Sequence, residues 1–175
     1  MCASFEVLGV VPERQAAVNA TLRPATAADA PRVASLLIDT RSEFMPYAPS
    51  AHPEEDVRSW VASHLIPAGG VTVAELHGQV VAAIATEQAE AVSWVTQMAV
   101  DPALVGRGIG SLLLGHAMLI LALPIRLYTF QANTGARRFY ERHGFVAIEL
   151  TDGQGNEERC PDVLYELSAY SRSSQ

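Results

Sequence analysis

Positions 100–110 read VDPALVGRGIG. This pattern predicts that an apolar strand ends, a turn containing proline follows, and a helix begins among three glycines. The first amide groups of a helix have no partner within the helix, and the helix dipole is positive there. Glycine also lets a bulky anion approach the backbone closely. The stretch therefore predicts a diphosphate-binding turn between a strand and a helix.

Two familiar nucleotide-binding patterns fit this turn poorly. A dinucleotide-binding turn needs a third glycine where Ser111 stands, and an acid after the next strand, where Phe130 and Gln131 stand. A Walker-type loop needs a lysine, and all twelve basic residues are arginine. Two interpretations of the turn remain. It could bind the pyrophosphate of coenzyme A, or it could be a connector that binds no ligand.

Composition narrows the class of protein. The chain has 175 residues, of which 49% are hydrophobic, and a net charge of −7, which favours one packed domain and argues against a general nucleic-acid binder. Cys2 and Cys160 form no disulfide or zinc pattern, and the histidines lack metal-ligand spacing, so no metal site is expected. The N-terminus shows no secretory signal, and the longest apolar run, at 112–123, is too short to span a bilayer. We expect a cytoplasmic protein.

The hydrophobic periodicity predicts strands and helices in the order βααβββαβαββ, a mixed α/β or α+β layered domain. This domain is predicted over 18–170, after a short extension at 1–17 and before a flexible tail at 171–175. Asp29 is predicted to cap the first helix, with Pro31 in its first turn. A later helix is predicted over 106–123, and Asn133 is predicted to cap a short helix that ends at Gly144.

A second motif, NTGARRFYERHGF at positions 133–145, is longer and more specific than the glycine turn. With both motifs in this order, the chain resembles the GNAT superfamily of acetyl-CoA-dependent N-acetyltransferases. Their pyrophosphate motif is Gln/Arg-x-x-Gly-x-Gly/Ala, and positions 105–110, VGRGIG, match it except that Val105 replaces the usual Gln or Arg. The second motif matches their pattern N-x-x-A-x-x-F-Y-x-x-x-G-F, and the resemblance covers roughly residues 20–167.

The resemblance implies a central mixed, mostly antiparallel sheet flanked by helices. It also implies acetyl-CoA as co-substrate, an amine as acceptor and a possible homodimer. The co-substrate is expected in a cleft between two neighbouring parallel strands, the one ending at Val100 and the one starting near Ile125. The charge, the histidine spacing and the short apolar run separately lead us to expect no nucleic acid, metal or membrane partner. Tyr140 stands where the family's tyrosine protonates the departing thiolate, a role that suits a phenol with a pKa near 10. The implied contacts to acetyl-CoA are Met98, Ala99, Val100, Val105, Gly106, Arg107, Gly108, Ile109, Gly110, Asn133 and Arg138.

The general base is less clear, because the family often uses a glutamate on the central strands and this chain has Thr96 and Gln97 there. Two other segments supply candidates. The polar loop at 152–162 contains Glu157 and Glu158, and the connection at 45–52 ends at His52. The acids could bind a cationic amine or accept its proton, and His52 could serve as the base, because histidine side chains change charge near neutral pH. The same residues also have purely structural interpretations. Glu157 and Glu158 could belong to a solvated loop without a site, and His52 could be an ordinary residue at the start of a helix.

These observations favour an N-acetyltransferase in which a small cationic amine attacks acetyl-CoA directly in a ternary complex, with Tyr140 as general acid. Cys160 shows no neighbouring base that would favour a covalent acetyl-enzyme. A non-catalytic acyl-CoA sensor, an acetyltransferase of N-terminal or other protein amines, and a nucleotide-binding module are the alternatives.

Overall fold

The computed structural model describes residues 19–48 and 50–169, so the predicted extension at 1–17 and tail at 171–175 lie outside the described residues. The strands are β1 (Thr21–Pro24), β2 (Val71–Leu76), β3 (Gln79–Ala89), β4 (Val92–Val100), β5 (Ile125–Phe130), β6 (Val146–Leu150) and β7 (Asp162–Leu167). The helices are α1 (Ala30–Phe44), α2 (Glu54–Trp60, continued by a π-helical turn Val61–Leu65 and a last turn Ile66–Ala68), α3 (Ile109–Ile120) and α4 (Thr134–Arg142). The predicted order of strands and helices is confirmed.

The strands form one seven-stranded sheet in the order β1-β2-β3-β4-β5-β7-β6. All neighbours are antiparallel except β4 and β5, which are parallel because α3 crosses over between them. Helices cover both faces of the sheet. On one face α1 and α2 bury Val33, Ala34, Leu36 and Val61. On the other face α3 and α4 bury Ile109, Leu113, Leu114, Ala117 and Tyr140.

Two predicted helix starts differ in detail from the structure. The helix predicted from position 106 begins only at Ile109, because Gly106 and Gly108 have φ of 84° and 86°, outside the helical region. Asp29 does precede α1, but its carboxylate makes no cap hydrogen bond to that helix. It accepts instead from the amide and hydroxyl of Thr26 and from Arg23. In the described part of the chain, no helix combines the length and apolar character needed to cross a bilayer.

Candidate functional site

A gap opens in the sheet between β4 and β5. The two strands pair only where Ser93 meets Ile125 and Trp94 meets Arg126. Beyond these pairs they separate, and a cavity of about 1000 Å³ lies between them. At the closed end the rings of Trp94 and Tyr128 stack with centroids 5.9 Å apart. The gap can take an extended ligand in the place of a missing strand.

The backbone of β4 offers hydrogen-bonding groups to this gap. The amide of Asp101 donates to β3 at 2.8 Å, which fixes the alternation of the antiparallel β3–β4 pair. By that alternation the backbone groups of Ala99 pair with β3, whereas those of Met98 and Val100 point away from it. The Val100 carbonyl accepts from the hydroxyl of Thr40 at 3.1 Å. Met98 and Val100 line the cavity, and the buried Ala99 does not.

A bulge in β4 lies beside these residues. The β3–β4 register shifts between Ala85 and Thr86, so Thr96 is the extra residue, and its hydroxyl donates to the Ala85 carbonyl at 3.3 Å. Bulges bend a strand and change the direction of the side chains that follow. Gln97, the next residue, lines this cavity and a second one.

The glycine turn forms the far end of the first cavity. Gly106, Gly108 and Gly110 line it, and the two positive φ values bring the backbone to the cavity surface. The amides that open α3 have no helical partner and lie at the positive end of its dipole. Gly110 also allows close packing, since a Cβ there would lie 3.3 Å from the Cε of Met98. The turn therefore has the properties of an anion-binding site.

The other predicted residues of this turn take different positions. Val105 lines the cavity with a half-exposed side chain. Arg107 is exposed and lies outside the cavity wall, and the side chain of Ile109 is buried in the core below α3. Backbone amides, rather than these two side chains, are what the turn presents to an anion.

Tyr140 faces the same cavity from α4. It is only 8% exposed, and its hydroxyl points to the Sδ of Met98 at 3.8 Å. Burial raises the pKa of Tyr140 to about 12, because the phenolate would lose its hydration. The phenol is therefore a proton donor held in its neutral form beside β4.

Asn133 begins α4 as predicted, since its Oδ1 accepts from the amide of Ala136 at 3.0 Å. It also lines the cavity. Arg138 is exposed, and its Nε donates to the Thr134 carbonyl at 3.2 Å, away from the cavity wall. Arg142, one turn later, does line the cavity. The helix therefore presents Arg142 to the cavity in place of the predicted Arg138.

A second cavity, of about 860 Å³, adjoins the first on the α1 side of the sheet. Its walls come from α1, α2, the connection between them, β4 and the loop between β6 and β7. Residues shared by the two cavities mark where they meet: Thr40, Arg41, Met45, Gln97, Met98 and Glu158. A molecule in the second cavity can therefore reach the β4 edge of the first.

The three candidates for the general base, His52, Glu157 and Glu158, all line the second cavity. The Nε2 of His52 and the Oε2 of Glu157 lie 2.8 Å apart, although sequence analysis placed them in separate segments. Glu158 pairs with Arg41 at 2.8 Å and is much less exposed than Glu157. These two contacts join the β6–β7 loop to the helical side of the cavity.

Arg41 and Asp162 are among the wall residues that sequence analysis missed. Arg41 lies over the ring of Phe130 at 5.9 Å, in addition to its bond to Glu158. The available signal was its position four residues after Leu37, on the same face of α1. Asp162 lines the first cavity, but in the sequence it reads only as a polar residue before a strand.

The comparisons with known proteins agree with this geometry. The family model for the acetyltransferase (GNAT) family matches residues 37–145, more than half of the chain. No match was found among curated proteins.

Several solved structures share the fold. A GNAT-family acetyltransferase from Bacillus cereus is 14% identical, with a TM-score of 0.68 over 85% of this chain and 96% of that one. PaiA N-acetyltransferase from Thermoplasma acidophilum, in complex with coenzyme A, is 18% identical, with a TM-score of 0.68 over 85% and 98%. Naa50 from Arabidopsis thaliana, with the bisubstrate analogue CoA-Ac-MVNAL, is 22% identical, with a TM-score of 0.64 over 86% and 99%. The protein therefore belongs to the acetyltransferase (GNAT) family, as an acetyl-CoA-dependent acyltransferase.

Proposed function

We propose that the protein transfers the acetyl group of acetyl-CoA to the primary amine of a small cationic acceptor, with Tyr140 as general acid. The observation that carries this proposal is the position of the Tyr140 hydroxyl. It points at Met98, where the opened edge of β4 and the junction of the two cavities coincide. A thioester lying along β4 would be within reach of this phenol on one side and of an acceptor on the other.

In the proposed complex, acetyl-CoA occupies the gap between β4 and β5. Its pyrophosphate binds the backbone of residues 106–111, and its pantetheine arm pairs with Met98 and Val100. The Oδ1 of Asn133 already caps α4, which leaves its amide nitrogen to donate to the arm. An outward-pointing β4 amide near Met98 polarises the thioester carbonyl, as an oxyanion-type contact does. Arg142 replaces Arg138 as the arginine suited to a phosphate.

The reaction needs two proton transfers. The neutral amine attacks the carbonyl carbon, a C–N bond forms, and the intermediate breaks its C–S bond. The departing thiolate takes the proton of Tyr140, and the nitrogen loses a proton through water. We propose the His52–Glu157 pair or Glu158 as its destination, since all three line the acceptor cavity. Solvent then returns a proton to the Tyr140 phenolate.

The second cavity favours a cationic acceptor. Its wall carries four acidic residues, Glu54, Asp56, Glu157 and Glu158, against Arg41 and His52. Trp60, 40% exposed, adds an aromatic surface to the same wall. An acidic wall with an exposed indole suits a protonated amine with an aliphatic body.

Two alternatives rest on specific observations. A sensor that binds acyl-CoA without turnover is favoured by Thr96 and Gln97, because β4 supplies no carboxylate at the cavity junction. A protein amine as acceptor is favoured by the exposed rim of the second cavity, where His52 and Glu157 are 57% and 71% exposed.

The test combines calorimetry of acetyl-CoA binding with release of free CoA thiol against a panel of small amines, amino acids and peptide N-termini. We expect binding, and thiol release with a small cationic amine. Tyr140→Phe should leave acetyl-CoA affinity within about twofold and lower kcat by about a hundredfold. Tyr47→Phe is the matched control, because it removes a tyrosine hydroxyl outside the two cavity walls. Binding without release in any arm would favour the sensor, and release with peptides alone would favour the protein acceptor.

A further inference from the structure

One buried carboxylate in the first cavity has no role in the reaction described above. Asp162 is 9% exposed and is the first residue of β7, where it pairs in register with Phe130. Directly paired residues in adjacent strands point to the same face of a sheet. The ring of Phe130 lies under the guanidinium of Arg41, on the α1 side where the two cavities meet. Asp162 is therefore on the acceptor face of the sheet.

The hydrogen bonds of this carboxylate come from neutral groups. Its Oδ1 accepts from the hydroxyl of Thr151, and its Oδ2 accepts from the Nδ2 of Asn156 at 2.8 Å. An ionised carboxylate can accept about four hydrogen bonds, so both oxygens retain capacity. Burying such a charge without a cation is costly.

The other acid of the cavity junction, Glu158, is neutralised within the protein by its ion pair with Arg41. Glu157, on the second cavity, has the Nε2 of His52 2.8 Å from its Oε2. Among the described residues, no arginine or histidine forms an ion pair with Asp162. Its charge is therefore the one in this part of the wall left for a ligand to neutralise.

The loop between β6 and β7 holds the carboxylate in a fixed orientation. Besides its bond to Asp162, Asn156 donates to the Cys160 carbonyl and accepts from the Cys160 amide. Gly153 is packed so tightly against Cys160 that a Cβ would lie 2.2 Å from its carbonyl carbon. The Gly153 amide donates to the Thr151 hydroxyl that in turn bonds Asp162. A carboxylate oriented in advance in this way loses little entropy on binding a cation.

We propose that Asp162 is a specificity residue that binds a second, protonated nitrogen of the acceptor. The acceptor class is then a diamine or polyamine, in which one neutral amine attacks the thioester while another carries a charge. This inference rests on the proposed function, because it assigns a substrate class to the same site. A phosphate of CoA is excluded as the partner, since the carboxylate would repel it.

Calorimetry on the protein loaded with CoA tests the proposal without needing turnover. The probes are 1,4-diaminobutane and n-butylamine, which share a four-carbon chain but differ by one cationic group. We expect wild type to bind the diamine at least tenfold more tightly, and Asp162→Asn to lose that preference. Asp162→Glu, which keeps the charge, should retain part of it. Asp152→Asn is the matched control, since it removes a carboxylate from an exposed residue of the same loop that lines neither cavity, and it should keep the preference.

The proposal would be overturned by equal affinities in wild type, by absent diamine binding, or by a preference that survives in Asp162→Asn. An equal loss of preference in Asp152→Asn would also overturn it. Thiol release, measured separately, distinguishes this failure from that of the proposed function. Diamine binding that depends on Asp162, without any thiol release, would support the inference and contradict the proposed transfer. Thiol release from monoamines with no preference for diamine binding would support the proposed transfer and contradict the inference.

Discussion

The hydroxyl of Tyr165 donates a 2.6 Å hydrogen bond to the Oε1 of Glu141, the residue that follows Tyr140 in α4. Tyr165 is fully buried on β7, and its hydroxyl also accepts from the Nε of Arg137 at 3.2 Å. Burial, and then the bond to the Glu141 carboxylate, raise the pKa of Tyr165, so the phenol stays a donor. One buried hydroxyl thus ties α4 to the sheet at the turn that carries Tyr140.

Tyr165→Phe should therefore disturb the position of Tyr140 more than it disturbs ligand binding. The substitution keeps the packed ring and removes both hydrogen bonds. We expect a loss of about 1–2 kcal/mol in the free energy of unfolding. We also expect kcat for thiol release to fall about tenfold, because a small displacement of the proton donor slows the transfer. Urea unfolding, steady-state kinetics and acetyl-CoA calorimetry measure these effects. A kcat equal to that of wild type would show that the bond serves stability alone.

Replacing a glycine of the glycine turn should lower cofactor affinity, and a matched glycine elsewhere separates this effect from a loss of stability. Gly108 and Gly78 both have positive φ, of 86° and 76°, and a Cβ at either would meet no atom within 4 Å. Gly108→Ala and Gly78→Ala should each lower the free energy of unfolding by about 1–2 kcal/mol, because the left-handed conformation disfavours a Cβ. Only Gly108→Ala should weaken acetyl-CoA binding, by about tenfold or more, since Gly78 lies in the distant β2–β3 turn. Calorimetry on both variants tests this, and equal affinities would contradict the proposed site.

Alkaline unfolding should report the burial of Tyr140. Its pKa is about 10 in the unfolded chain and about 12 in the fold, so the native state holds this proton more tightly. The resulting stability is complete below pH 10 and is lost as the pH rises from 10 to 12. Tyr140→Phe should remove a slope of up to about 1.4 kcal/mol per pH unit in that window. Urea unfolding at pH 9, 10 and 11 measures it; parallel curves for the two proteins would contradict the burial.

Asp29 predicts the opposite dependence on pH. The Arg23 guanidinium, followed by the Thr26 amide and hydroxyl, holds the pKa of this nearly buried carboxylate well below its usual range. Its contribution to stability is present above pH 4 and is lost as the pH falls below that value. We expect Asp29→Asn to lower the free energy of unfolding by about 1–3 kcal/mol at pH 7. The loss is moderate because Arg23 is partly exposed, so solvent weakens its pair with Asp29. Urea unfolding at pH 7 and pH 3 tests this, and the difference in unfolding free energy between the two proteins should narrow at the lower pH.

Local patterns in the sequence were sufficient for the order of elements. The strands over 71–76, 92–100 and 125–130 begin and end where periodicity placed them, because each is an apolar run bounded by turn residues. The glycine turn and Tyr140 were also found in the sequence, and the structure brings them to one cavity. Their roles in catalysis and binding remain predictions.

Tertiary relationships could not be read in the same way. The cleft between β4 and β5 was expected only from the resemblance to the GNAT superfamily. The hydrophobic pattern of the two strands does not predict it, because their separation depends on where the crossover helix packs. The partners of Glu157 and Glu158 lie in segments more than a hundred residues earlier in the chain. Asp162 looks like other polar residues at strand ends, and only its burial beside neutral donors sets it apart.

The short parallel contact between β4 and β5 also bears on how the chain assembles. β2, β3 and β4 follow one another through tight turns, so their pairing closes only short loops. The β4–β5 contact must wait for all of α3 to cross the sheet, and it then gains only two residue pairs. Because pairings between distant segments form late, we expect the β2–β4 meander to be an early folding unit and this junction to close last. The ligand cleft would then be the final part of the molecule to take shape.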